Sequence, residues 1–489
     1  MPTITWEGRF IPEDEARSDY AYVPFELAAP ARRLTVRYRY ADAQPAGLAP
    51  GTSAQSIVDI GLFDPRGMEF PGGRGFRGWS GSARREFTLA PDQATPGYLP
   101  GPLPAGLYHV ILGLYQIHPE GVDVQVTIHV EPVPREVEPV QEEEPVDIPI
   151  PTPPRPALQP GWLRGDLHSH TWHSDAPGSL QTLLAEARAL GLDFLAVTDH
   201  NTVSHHRELA RLASPDLIAI PGQEVTTYYG HMNVWGATRW CDFRCRTPEE
   251  MAQVIQLAHR IGGVCSLNHP KPGGPPWEYG FDLPVDVMEV WHTPWPFSNP
   301  TISALWDSLL SQGRRVRGVG GSDYHCQLPS YTGIRSLAMP TTWVWAEEAS
   351  AAGILAAIVQ GHVCISAGPA GPRLELWAEA AGQRAMMGDV IALGPQEPTA
   401  WTVRVLGGAG LELRLVADGR TIYRHPVTGD EETLHPEVAA TRYVRAELVG
   451  DMPAEKLPVE APSSLDLREW RWALSNPIYV GRAETARTK

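Results

Sequence analysis

Between Pro132 and Pro160 the chain carries ten prolines and the acidic run Glu142-Glu143-Glu144. Such a stretch cannot bury a core, and proline holds it near extended polyproline II. It reads as a semi-rigid strap over 134–161, with a proline-rich recognition peptide as the other reading. The strap divides the 489 residues into two parts with different hydrophobic periods. Before it, Leu34, Val36, Tyr38 and Tyr40 alternate with Thr35, Arg37 and Arg39, and Val122–Val130 repeats the same period of two. Gly- and Pro-rich turns lie between, so residues 1–133 are expected to form an all-β sandwich.

After Gly161 short apolar segments alternate with helical ones. Strands are expected near Leu163–Leu167, Phe194–Thr198, Leu217–Ile220, Gly263–Leu267, Val285–Val290 and Val316–Gly320. Helices are expected near Leu180–Leu190, Ser204–Leu212, Pro248–Ile261 and Ile302–Leu310. Alternating βα units imply parallel strands under covering helices, and roughly seven strands in about 200 residues favour a closed or nearly closed barrel over 162–370. No Gly-x-Gly-x-x-Gly fingerprint or P-loop is present, which disfavours the nucleotide folds. The period of two returns in Trp401–Val405, Leu411–Val416 and Tyr443–Leu448, predicting a C-terminal β domain over 371–489.

Candidate metal ligands arrive just after the short apolar segments of the middle part. His168 and His170 follow the first, with Asp175 five residues further on; His200 follows the second and Glu224 the third. His231 comes seven residues later, His269 lies in Asn268-His269-Pro270, and Asp323 and His325 close the series. In a βα barrel the loops after the strands converge, so these nine side chains would meet at one mouth. Imidazoles and carboxylates gathered there need a compensating positive charge, which divalent cations supply. Six imidazoles and three carboxylates without a thiolate suit Zn²⁺, Mn²⁺ or Fe²⁺ at a hydrolytic site. Nine ligands exceed what one ion takes; a carboxylate can bridge two ions about 3.5–4 Å apart, and such clusters yield a nucleophilic hydroxide near neutral pH.

Around this set, Asp166, Asp199 and Glu289 are expected to orient neighbouring histidines. Lys271 and His292 are candidate substrate contacts, against a solvated loop lysine and a strand-end histidine. His173, His205, His206 and His259 are left outside the site. Cys241 and Cys245 could be half a zinc site, but the spacing has no second half. Five cysteines are too few and too scattered for a disulfide scaffold. The net charge of −17 argues against nucleic acid or an anionic membrane as partner. No secretory signal and no apolar run of roughly 18 residues is visible, so a soluble cytoplasmic protein is expected. The expected partner is a small-molecule ester, and a homo-oligomer is compatible with the sequence.

Taken in order, His168-x-His170 through Ser174-Asp175, Thr198-Asp199-His200, Gly222-x-Glu224, Asn268-His269-Pro270 and Ser322-Asp323-x-His325 resemble the motifs of the polymerase-and-histidinol-phosphatase (PHP) domain family. The resemblance implies a distorted (β/α)₇ barrel with two or three divalent ions. By motif position it implies that His168, His170, Glu224 and Asp323 hold one ion, with Glu224 bridging to a second completed by His231 and His269. Asp175, His200 and His325 would hold a third; without it, His200 or His325 would serve as general acid. Gly230-His231-x-Asn233, Gly361–Pro369 and Asn476-Pro477-Ile478-Tyr479-Val480 are more loosely similar to the branch containing carbamate-insecticide hydrolases. Ala176 departs from the glycine common after the first motif's Asp, in a loop and not at a ligand. The expected activity is metal-dependent ester hydrolysis, foremost of a phosphate ester. The alternatives are a carboxylester or carbamate hydrolase, and a non-catalytic binding protein with a relic barrel.

Overall fold

The computed structural model describes residues 2–40, 55–133, 159–272, 276–325, 336–380, 382–393, 399–440, 442–452 and 467–482. Most of the expected strap, and Cys326, lie outside them. Residues before the strap form two four-stranded sheets. One runs Thr3–Phe10, Val122–Pro132, Ala31–Tyr40, Glu86–Leu89; the other runs Tyr20–Leu27, Gly106–Gln116, Ile57–Phe63, Phe76–Gly81. All pairings are antiparallel. Val36, Val126 and Ile128 from the first sheet meet Ile60, Val110 and Leu112 from the second in a shared core, as the period of two requires when one face of each sheet is buried.

The middle region does not form the expected (β/α)₇ barrel. Its strands belong to one sheet of fifteen strands that runs on into the C-terminal region, and only six helices occur among the described residues. Gly161–Asp166, Phe194–Val197 and Ile218–Thr227 are parallel, but Gly230–Trp235 then folds back antiparallel as a hairpin arm and pairs antiparallel with Val264–Leu267. Val287–His292 and Gly318–Gly321 continue in parallel. On the other side Thr341–Ala346 is antiparallel to Gly161–Asp166, and Val363–Ser366 pairs with Trp470–Ser475 near the end of the chain. The hydrogen-bonded ladder therefore continues outward where a barrel would close. Gly318–Gly321 is held beside Thr341–Ala346 by a side chain instead: Thr342 Oγ1 accepts from Gly320 N at 3.0 Å and donates to Gly320 O at 2.7 Å.

Helix formation follows local signals. Thr247 caps Pro248–Arg260 by accepting from Glu250 N, and Glu250 reaches back to Thr247 N at 3.1 Å, with Pro248 opening the first turn. A cap of this kind stabilises by about 1 kcal/mol. Met251, Val254, Ile255 and Ala258 form the buried stripe. No helix among the described residues is long and apolar enough to cross a membrane.

Both flanking regions pack on the middle one. Phe76 stacks on Trp240 with centroids 3.9 Å apart and planes 7° from parallel. Tyr228 Oη donates to Asp59 and Tyr229 Oη to Asp19, each at 2.8 Å. On the C-terminal side the buried Arg445 guanidinium joins Asp307 of helix Asn299–Ser311, at 2.7 Å, to Glu447 at 2.8 Å.

Candidate metal centre

All nine side chains singled out by the sequence lie together in overlapping groups of donors, Glu224 and His231 on the strands of the hairpin and the others in segments that follow middle strands. His168, His170, Glu224 and Asp323 form one; Glu224, His231 and His269 a second; His170, Asp175, His200 and His325 a third. Glu224 belongs to the first two, and His170 links the first to the third.

The geometry follows from short connections. Leu167 leaves strand Gly161–Asp166 and places His168 and His170, both fully buried, on the same side of the chain two residues apart. Single bridges register Ser169 with Tyr324 and His200 with Glu224. Gly321 admits the last segment, since a Cβ there would collide with Glu289 and His168. His269 and Asp323 sit at φ +25° and +52°, the left-handed region that strand-end residues adopt only when their surroundings hold them there.

His168 Nε2 lies 3.3 Å from both Glu224 Oε1 and Asp323 Oδ1. His170 Nε2 is 2.9 Å from Asp323 Oδ1 and 3.5 Å from Glu224 Oε2. His231 Nδ1 and His269 Nε2 approach Glu224 Oε1 at 3.2 and 3.3 Å. Across the third group, Asp175 stands 3.7 Å from His200 Nε2 and 3.5 Å from His325 Nε2. In this crowd His168 Nε2, both ring nitrogens of His170, His231 Nε2 and Glu224 Oε2 are buried and make no well-aligned hydrogen bond, although Asp323 Oδ1 lies 2.9 Å from His170 Nε2 and His200 Nδ1 2.9 Å from Glu224 Oε2. Leaving such atoms unpaired costs about 1–3 kcal/mol each. Divalent cations would take one nitrogen lone pair from each imidazole and a carboxylate oxygen from Glu224, so the donor set fits such ions.

The electrostatics agree. Burial alone would raise the Glu224 carboxyl, but His168, His231 and His200 outweigh it and hold the group well below the usual carboxylate range. Asp323 is likewise pulled well down against burial, by His168, His170 and His292. His170 goes the other way, down to about 4, through burial and then the neighbouring His200 and His325. These are the forms that bind metal, whereas against burial the neighbouring carboxylates push His168, His200 and His325 up, the last to about 10, so those imidazoles would exchange a proton for an ion.

Surrounding groups fix the ligands. Glu289 Oε2 accepts from His269 N at 3.0 Å while its other oxygen faces His168. Asp166 accepts from the main chain at His168, Ser322 and Ala338 and from the Ser322 hydroxyl, so it ties three loops together and touches no imidazole. Asp199 binds Thr171 and Ser174 and lies 3.1 Å from His205. His292 Nε2 is 3.2 Å from Asp323 Oδ2, and the residue groups with His168, His269 and Glu289. The Lys271 ammonium donates to His292 O, Thr293 Oγ1 and Phe297 O, which engages its three hydrogens in holding a loop. Two partners were not anticipated: Thr226, whose hydroxyl is 2.6 Å from His200 Nδ1, and Asn268, which donates to Glu224 Oε1 at 3.0 Å. Asn268 stands beside a ligand in its motif; Thr226 carried no signal.

Outside the centre, His173, His205 and His206 are buried behind Asp199. His259 pairs with Asp286 near Cys265. Cys241 and Cys245 are buried free thiols and join no donor group among the described residues.

No family model matches the chain, and no curated protein matches it. Among solved structures, it is similar to a two-domain protein from Bacteroides vulgatus that contains a predicted PHP-like metal-dependent phosphoesterase. The two are 16% identical over 69% of this chain and 100% of that one, with a TM-score of 0.36.

Proposed function

We propose that the chain is a metal-dependent hydrolase of ester bonds, foremost a phosphoesterase of the PHP type that its motifs resemble. The observation that carries the reading is the meeting of donor groups on Glu224 and His170, with buried nitrogens and a carboxylate oxygen left unpaired. His168, His170, Glu224 and Asp323 would hold one ion, Glu224, His231 and His269 a second, and Asp175, His200 and His325 a third. Ions bound there would polarise the ester, activate water and offset charge on the departing oxygen.

The protein's own contribution is orientation and charge. Glu289, Asn268 and Thr226 hold ligands in place, so little reorganisation accompanies substrate binding. Three dications would outweigh the carboxylates Asp175, Glu224, Glu289 and Asp323, leaving a positive mouth. That balance favours an anionic phosphate ester over a neutral carbamate or carboxylester. The Lys271 ammonium is then not needed at the substrate and holds its loop. The unpaired donors speak against a relic site, because a site that had lost its ions would gain stability by replacing them.

Assays of p-nitrophenyl phosphate and p-nitrophenyl acetate, with Mn²⁺ or Zn²⁺ added, test the reading. Metal-dependent release from the phosphate is expected. Faster release from the acetate points to the carboxylester or carbamate alternative, and activity that survives chelation rules the mechanism out.

A further inference from the structure

The N-terminal sandwich meets the middle region at the tip of the hairpin that carries Glu224 and His231, through Tyr228 and Tyr229, and again beside Asp175. Arg84 lies in the turn between Phe76–Gly81 and Glu86–Leu89, strands that belong to different sheets. Its guanidinium donates to Ser174 O at 2.8 Å and to Trp172 O. From a neighbouring loop, Gly97 N donates to Ser204 Oγ at 3.0 Å and Gly97 O accepts from Thr202 Oγ1 at 2.9 Å. Ser204 Oγ in turn lies 2.7 Å from His173 Nδ1. Gly97 has φ +97°, and a Cβ there would stand 2.9 Å from His173 O, so only glycine allows this approach.

On the opposite side of the same segment Asp199 takes Thr171 N, Thr171 Oγ1 and Ser174 Oγ, each at 2.7 Å. Residues 171–174 are thus gripped from within by Asp199 and from outside by the sandwich. Asp175 is the next residue, and His200 follows Asp199 directly. Both belong to the third donor group. Glu224, His231 and His269 lie on or beside strands of the middle sheet, and among the described residues neither Arg84 nor Gly97 bonds to them.

We propose that Arg84 is a positioning residue for the third ion. Through the carbonyls of Trp172 and Ser174 the sandwich sets Asp175 opposite His200 and His325, and so decides whether that group is occupied beside the ions on Glu224. The sandwich is then a working part of the centre. The inference rests on the metal-centre reading above and adds to it which region controls which ion.

The test is Mn²⁺ titration of the full metal-free chain by calorimetry, with bound metal counted by elemental analysis, for wild type, Arg84→Ala, Arg84→Lys and Gly97→Ala. Wild type is expected to bind three ions. Arg84→Ala should weaken one of them about tenfold or more and leave the other two at wild-type affinity. The thermal midpoint of the metal-free chain should stay near that of wild type, and Arg84→Lys should recover part of the lost affinity. Gly97→Ala should weaken the same ion from the other contact. Three ions at wild-type affinity in Arg84→Ala overturn the proposal, as does equal weakening of all three. A wild type with two ions removes the third position, and the proposal with it, while the two-ion centre stands. A wild type with none overturns both.

Discussion

Glu289 Oε1 stands 3.1 Å from Nδ1 of His168, whose Nε2 faces Glu224 Oε1 at 3.3 Å. One imidazole is thus bracketed by a carboxylate that orients it and another that would share its ion. Because Glu289 also receives His269 N, it steadies ligands of two donor groups. Glu289→Gln keeps the shape and removes the charge, and is expected to weaken metal binding about 10–100-fold. Calorimetric titration reads this directly; unchanged affinity would show that the bracket does not act on the ion.

Glu224 belongs to two donor groups, so Glu224→Gln should affect both at once. Hydrolysis should fall by roughly 100-fold or more, beyond the 10–100-fold typical of groups that only support a ligand. Bound metal should drop to at most the ion of the Asp175 group. Retention of all ions in this variant would contradict the bridging role.

Asp59 gives a stability prediction. Burial raises its carboxyl from 3.8 to about 6, against the lowering effect of the Tyr228 hydrogen bond and Arg85. Across this window the folded chain keeps a proton that the unfolded chain has released, so stability falls as pH rises from about 4 to 6 and the loss is complete above that. At about 1.4 kcal/mol per unit the effect is at most ~3 kcal/mol. Asp59→Asn retains an acceptor for Tyr228 and abolishes the titration. Its stability relative to wild type should therefore rise by about 1–3 kcal/mol between pH 4 and pH 7 in urea unfolding. The same difference at both pH values would refute this.

Arg445, Glu447 and Asp307 form a network between the C-terminal strands and helix Asn299–Ser311. Arg445→Ala leaves the buried Glu447 with Arg471 alone, at 3.2 Å, and should cost about 1.5–3 kcal/mol. A loss below about 1 kcal/mol would mean that water reaches the site and the two regions are not fused there.

The meeting of the nine candidate side chains was legible because most of them follow an apolar run, and a run that ends in His or a carboxylate marks a residue of metal-binding type after a strand. Strand positions such as Phe194–Val197 and Val264–Leu267 were legible for the same reason. Asp175 and His231 were legible only from the motifs around them. Partner choice was not. Gly230–Trp235 has the composition of any buried strand, yet it pairs antiparallel with neighbours on both sides and breaks the βα repeat that the alternation suggested. Asn476 joins Gly318 N and O at 2.6 and 2.9 Å, across a separation in the chain that no local period records. The grip of Arg84 on Ser174 is of the same kind. Contacts between distant segments decide whether strands close into a barrel or extend as a sheet.

Anomalous X-ray scattering from crystals soaked in Zn²⁺ addresses the central claim most directly. Peaks are expected between Glu224 and His168, His170 and Asp323, and between Glu224 and His231 and His269, with ligand atoms about 2.0–2.2 Å away. Crystals that diffract as well after soaking but show no peak among these side chains would contradict the account.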